Sequence, residues 1–198
     1  MKEARKEAGK KAGEKAMKQG KRFCVSGCLA GLPCRWDGAS RPDPRIQRLV
    51  ARGMCVVVCP EVQGGLLPPR KPCELCGDRV LARDGTDCTG AFRRGAAKAL
   101  AMALAAGCTA AVLKARSPSC GAGGIYDGSF TKTLAPGDGI FARLLREAGL
   151  EIFTEESLPW ERLEAELEAD LETELGAELA PGLAAACGAH AAPAGVRN

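Results

Sequence analysis

From Arg22 onward, short β-branched and small apolar runs alternate with stretches of helical character, and that alternation restricts the chain to one broad architecture. FCVSGCL (23–29), MCVVVCP (54–60), AAVLKAR (110–116) and LEIFTE (150–155) read as strands. Between them, Pro44 to Arg52, the alanine-rich Gly90 to Ala106 and Gly139 to Ala148 read as helices. ELCGDRVLARDG and GGIYDGSFTKT read as hairpins or irregular excursions. Apolar strands separated by helices belong to a mostly parallel sheet covered on both faces. The expected fold is therefore α/β, a single Rossmann-like three-layer domain, and such folds take their ligands beyond the carboxyl ends of the strands.

Three of the strands run into loops at a cysteine: SGCLAGLPCRWDG around Cys28, CPEVQGGLLPPR around Cys59 and SPSCGAGGIYDG around Cys120. Gly, Pro and Ser after each apolar run mark the strand's exit, so the three thiols are expected to converge at one sheet edge. Three thiolates hold an iron–sulfur cluster while leaving one iron without a protein ligand, and a metal with an open position is a Lewis acid. Cys34, six residues beyond Cys28 in the same loop, also stands near such a site. As a permanent fourth ligand it would close it.

The rest of the chain narrows the chemistry. The single histidine, His190, falls in an Ala/Gly/Pro tail, which argues against Ser-His-Asp and Cys-His catalysis. Glu61, two residues after Cys59, faces the same way if the segment is extended and is a candidate base. Ser117 and Ser119 flank Pro118 ahead of Cys120, where hydroxyls hold substrate or cluster sulfides or cap a turn. Lys114 and Arg70 either neutralise thiolates or an anionic substrate, or form ordinary ion pairs. Cys24, Cys55, Cys88 and Cys108 read as small core residues. The Cys73/Cys76 CxxC has no second CxxC to complete a four-thiolate site. Gly121, Gly123 and Gly124 lack the following helix and GK[ST] of a phosphate loop, and Asp138 stands near the start of the Gly139 helix.

A net charge of +4 sums opposed ends: a Lys-rich arm at 1–21 and an acidic stretch from Glu155 to Glu178. The expected organisation is a disordered or frayed-helical tail at 1–21, the α/β domain at 22–157, an acidic amphipathic helix at 158–180 and a flexible tail at 181–198. Leu163, Leu167, Leu171, Leu175 and Leu179 give that helix an apolar face for the core or for a homo-oligomeric partner. The basic arm lacks the aromatic interleaving of base-stacking modules, so no nucleic-acid partner is expected. No apolar run approaches the roughly 20 residues of a membrane span. An odd count of eleven cysteines fits a reducing cytoplasm better than a disulfide scaffold.

Five ordered blocks then carry a resemblance: SGCLAGLPCRWDG, VVCPEVQGGLLPPRKPCE, DGTDCTGAFRRGA, AVLKARSPSCGAGGIYDGSF and PGDGIFARLLREAGLEIFTEE. Over residues 22–157 the chain resembles the thiouracil-desulfidase family. The resemblance implies a 4Fe-4S cluster on Cys28, Cys59 and Cys120, with one iron not ligated by protein, and non-redox hydrolysis of the C=S bond of a thiolated nucleobase such as 2-thiouracil, releasing hydrosulfide. It also implies catalytic roles for Glu61 and Ser117. Substrate contacts are expected from Ser119 and from Trp36 and Tyr126, whose rings can stack on a flat base. Cys73 and Cys88 stand where Ala and Val are expected, and Phe141 where a small Thr is usual. The alternatives are a non-catalytic electron carrier or sensor with four protein-bound irons, and a sulfide-transfer protein.

Overall fold

The computed structural model describes residues 22–165 and Glu168. The basic arm, most of the acidic helix and the C-terminal tail lie outside the described residues. The chain divides into two units, Met1–Leu158 and Pro159–Asn198. Of the second unit, a helix at 160–165 is described, opening with a Leu163 amide bond to the Pro159 carbonyl of 3.1 Å.

In the first unit, β1 (Phe23–Ser26), β2 (Cys55–Val58), β5 (Ala110–Leu113) and β8 (Glu151–Thr154) form a parallel sheet in the order β2-β1-β5-β8. Two antiparallel hairpins, β3 (Cys73–Cys76) with β4 (Arg79–Ala82) and β6 (Gly124–Tyr126) with β7 (Leu134–Pro136), stand outside it. The expected α/β architecture is thus the observed one. β1 and β5 are buried throughout because they are interior strands covered on both faces, whereas the edge strands β2 and β8 are mostly half-buried.

The helices are α1 (Gly27–Ala30), α2 (Pro44–Ala51), α3 (Pro60–Gln63), α4 (Thr89–Ala105) and α5 (Ile140–Glu147). The β1–α2–β2 crossover runs one way along the sheet, and the α4 and α5 crossovers run the other. Right-handed connections therefore place α2 on one face and α4 with α5 on the opposite one. Ala96, Ala99 and Ala103 of α4 and Phe141, Ala142 and Leu145 of α5 bury against Cys24, Ala111 and Leu113. Small side chains let α4 lie close to the sheet, and a larger residue at Ala99 would cost about 1–3 kcal/mol through overpacking. Asp138 does not cap α5. Its carboxylate accepts from the Gly123 amide at 2.7 Å and from Arg146 at 2.8 Å.

The order of strands reverses between β1 and β5, the place where doubly wound sheets open a crevice beyond their carboxyl ends. Two short helices reshape that edge. β1 stops at Ser26 and Cys28 lies in α1; β2 stops at Val58 and Cys59 leads into α3, where Pro60 supplies the pre-set φ of a first helical position. α3 is pressed against α4 at Gly95, where a Cβ would fall 1.8 Å from the Pro60 carbonyl oxygen.

Candidate metal centre at the carboxyl edge of the sheet

The loops after β1, β2 and β5 bring four thiols together. Cys28, Cys34 and Cys120 are buried and Cys59 is half-buried. The Cys34 thiol shares hydrogen bonds with both the Cys28 and the Cys59 thiols, and the Cys59 Sγ also meets the Cys34 carbonyl oxygen at 3.7 Å. Cys120 closes the group from β5, near enough to Cys59 and Glu61 for their charges to act on it. Each sequence-predicted ligand is therefore at this edge, with Cys34 among them.

Burial and mutual contact favour the thiol over the thiolate at Cys34, Cys59 and Cys120. Hydrogen bonding with Cys28, then burial, pushes Cys34 up to about 11, the Cys59 contact acting against that rise. Cys59 is raised by its bond with Cys34 and by burial. Burial pushes Cys120 up to about 12, opposed by the Ser26 and Ser119 hydroxyls. Ser119 Oγ is buried without a hydrogen-bond partner in the protein, near enough to Cys120 to act on its thiol. A hydroxyl left to donate to sulfur, beside thiols that cannot ionise alone, fits a cationic centre that would take them as thiolates. Among the described residues no three His, Cys, Asp or Glu side chains close on the position of a single ion. A cluster asks for something else, because each thiolate binds its own iron.

Glu61 lies in the first turn of α3, so the extended geometry under which Cys59 and Glu61 would face alike is not the one adopted. The carboxylate still faces the site, its charge acting on Cys59, Cys73 and Cys120. Arg70 holds it, with Nε at 2.9 Å and an Nη at 2.6 Å from the same oxygen, Oε2. The guanidinium also donates to the carbonyls of Leu66 and Cys34, each at 3.0 Å, and the Arg70 amide to the Trp36 carbonyl at 2.8 Å. Arg70 thus ties the two cysteine loops together. Trp36 sits on that rim with 45% of its surface exposed.

Ser117 Oγ accepts from the amides of Ser119 and Cys120, both at 3.1 Å, and so caps the turn that presents Cys120 while keeping its own proton to donate. Ser119, the expected substrate contact, is fully buried. Lys114 does not neutralise thiolates. Its ammonium pairs with Glu155, which also accepts from the Ala115 amide at 2.8 Å. The Lys114 amide donates to Ser26 Oγ at 3.0 Å, locking β5 to β1 at the switch point.

Tyr126 lies in β6 opposite Leu134, and no hydrogen bond joins it to the four thiols among the described residues. Cys24 and Cys108 are core residues, as expected. Cys73 and Cys76 share β3, where a spacing of three sends them to opposite faces; their thiols meet the carbonyls of Lys71 and Gly128, both at 3.5 Å. Cys73 also touches Cys88, and burial followed by that neighbour pushes it up to about 12. Sequence reasoning missed the Arg70–Glu61 pair, whose partners are nine positions apart across Leu66 to Pro69.

Residues 23–157 match the 2-thiouracil desulfurase family, and the chain belongs to it. It is 38% identical over 144 residues to the uncharacterised protein YbbK of Bacillus subtilis (strain 168), covering 68% of this chain and 95% of that one. Among solved structures it is similar to the [4Fe-4S]-dependent thiouracil desulfidase TudS, at 42% identity and a TM-score of 0.68 over 75% of this chain and 99% of that one. No helix among the described residues is long and apolar enough to cross a membrane.

Proposed function

We propose that this protein is a 4Fe-4S-dependent desulfidase that hydrolyses the C=S bond of a free thiolated nucleobase such as 2-thiouracil. Cys28, Cys59 and Cys120 would hold the cluster. The observation that carries this reading is the meeting of three strand-end thiols beside a carboxylate, in a chain 42% identical to a thiouracil desulfidase. The cluster, when bound, supplies iron as a Lewis acid for the soft thiocarbonyl sulfur. The chain supplies the rest. Arg70 occupies Oε2 of Glu61 and leaves Oε1 to take a proton from water, which adds to the base carbon. Ser117 offers its remaining proton at the loop that presents Cys120, and the Trp36 ring offers a flat apolar surface at the rim. One thiobase and one water give one oxo-base and one hydrosulfide with its proton, with no change of oxidation state.

A second reading, an electron carrier with four protein-bound irons, is favoured by one observation, the place of Cys34 among the ligands. Anaerobic reconstitution followed by incubation with 2-thiouracil separates the two. The desulfidase reading expects uracil and hydrosulfide in equal amounts without added reductant or partner protein; a loaded protein that makes neither is the carrier.

A further inference from the structure

Cys34 stands inside the donor set. If Gly27 carried a Cβ, it would lie 3.2 Å from the Cys34 Sγ and 3.4 Å from the Val58 carbonyl oxygen. The sulfur is therefore seated over the first residue after β1 and beside the last residue of β2, in space that only the missing side chain of Gly27 leaves open. From there it meets both the Cys28 and the Cys59 thiols. Its carbonyl is pinned from two sides, by Cys59 Sγ at 3.7 Å and by Arg70 at 3.0 Å. Only 8% of the residue is exposed, although Leu32 and Trp36 on either side of it are nearly half exposed. The loop thus turns one thiol inward and its apolar side chains outward.

We propose that Cys34 is an exchangeable fourth thiolate of the centre, held on the remaining iron when no substrate is present and displaced by the substrate's sulfur. The inference rests on the desulfidase reading above. A permanent fourth thiolate is incompatible with that reading, because it fills the one position a thiocarbonyl sulfur can reach. A thiol held only for packing is the weaker account of a residue in contact with two ligands and oriented by two bonds to its own carbonyl. Cys34 lies on a loop, outside any strand or helix, whereas Cys28 lies in a helix and Cys59 caps one, each helix continuing directly from a strand. Exchange conserves atoms and charge. The iron–sulfur bond to Cys34 breaks as the bond to the incoming sulfur forms, and the freed thiolate takes up one proton, from hydrosulfide when that is the incoming ligand and from water when it is a neutral thiobase. No electron moves.

The wild-type protein, reconstituted anaerobically, is treated with iodoacetamide with and without sodium sulfide, and the modified cysteines are mapped by mass spectrometry. In parallel, wild type and Cys34→Ala are oxidised with ferricyanide and followed by EPR for the three-iron cluster that forms when an iron without a cysteine ligand is lost. The expected result is that Cys34 alone gains reactivity on adding sulfide, and that Cys34→Ala loses its unique iron roughly tenfold faster than wild type. Equal alkylation of Cys34 in both conditions, or equal rates of iron loss, overturns the proposal and leaves the three-ligand desulfidase reading intact. A wild type that assembles no cluster overturns both. Should Cys34→Ala fail to fold, the alkylation experiment on wild type decides alone.

Discussion

Two regions of this molecule are rich in cysteine, and only one of them gathers its thiols from separate loops at the proposed site. At the carboxyl edge of the sheet, Cys28, Cys34, Cys59 and Cys120 come from three separate loops and meet. In the β3–β4 hairpin and the turn that follows it, Cys73, Cys76 and Cys88 are closer in sequence, yet Cys76 is turned away from the other two, each of the CxxC thiols finding a backbone carbonyl of its own. A strand alternates its side chains, so a CxxC within one cannot chelate. Parallel strands do the opposite: their ends lie side by side, so Cys28 and Cys59, 31 positions apart, come out at one edge of the sheet. Convergence follows from topology and not from the local density of thiols.

That contrast extends to the cations beside each region. Arg70 and Glu61 are largely shielded, with side chains 9% and 18% exposed, whereas Lys71 and Asp84 in the hairpin are open to solvent. Arg70→Leu leaves Glu61 and the Cys34 carbonyl without their partner in a desolvated place, and is expected to cost about 3–5 kcal/mol in denaturant unfolding of the metal-free protein. Lys71→Ala is expected to leave the unfolding midpoint unchanged. Equal effects would erase the difference between the two regions.

Smaller in free energy is the effect expected at the proposed base, Glu61. Glu61→Gln preserves shape and removes the base, so iron and sulfide content should stay at the wild-type level while thiouracil turnover falls by roughly 10²-fold, about 3 kcal/mol. Full turnover in the loaded variant removes Glu61 from the chemistry. Loss of iron would reassign it to supporting the cluster loop.

The pH dependence of stability sharpens the comparison further. In the metal-free fold Cys120 and Cys73 are each pushed from 9.0 to about 12 by burial first. Below pH 9 both the folded and the unfolded chain keep these protons, so stability is flat there; between 9 and about 12 the unfolded chain sheds them first, and stability falls as pH rises. Thermal melts of the metal-free protein should therefore drop steadily across that window. Loading the cluster holds Cys120 as a thiolate in the fold and removes its share of the decline, but the share of Cys73 persists. A melt profile unchanged by loading would mean that Cys120 stays a thiol.

Much of this was legible in the sequence. Four short apolar runs, broken by Gly or Pro and separated by helical stretches, were enough for the parallel sheet and for the three thiols at its edge. The hydroxyls and cations were harder. A helix of four residues such as α1 or α3 is too short to display a period, so the turn that carries Glu61 has no signal in the sequence. The burial of Ser119 depends on how the loop after β5 folds under itself, and the seat of Cys34 over Gly27 depends on the loop after β1 turning back toward β2. Both are tertiary facts without a local signal. The acidic helix and both tails lie outside what the described residues address, apart from its first turns.

The most direct test of the central claim is to count iron and acid-labile sulfide in anaerobically reconstituted Cys120→Ala and in the Cys73→Ser, Cys76→Ser double variant, side by side with wild type. The double variant should hold a full four-iron, four-sulfide complement, and Cys120→Ala should lose it. A full complement on Cys120→Ala, or its loss from the double variant, would mean that the cluster is held somewhere other than the carboxyl edge of the sheet.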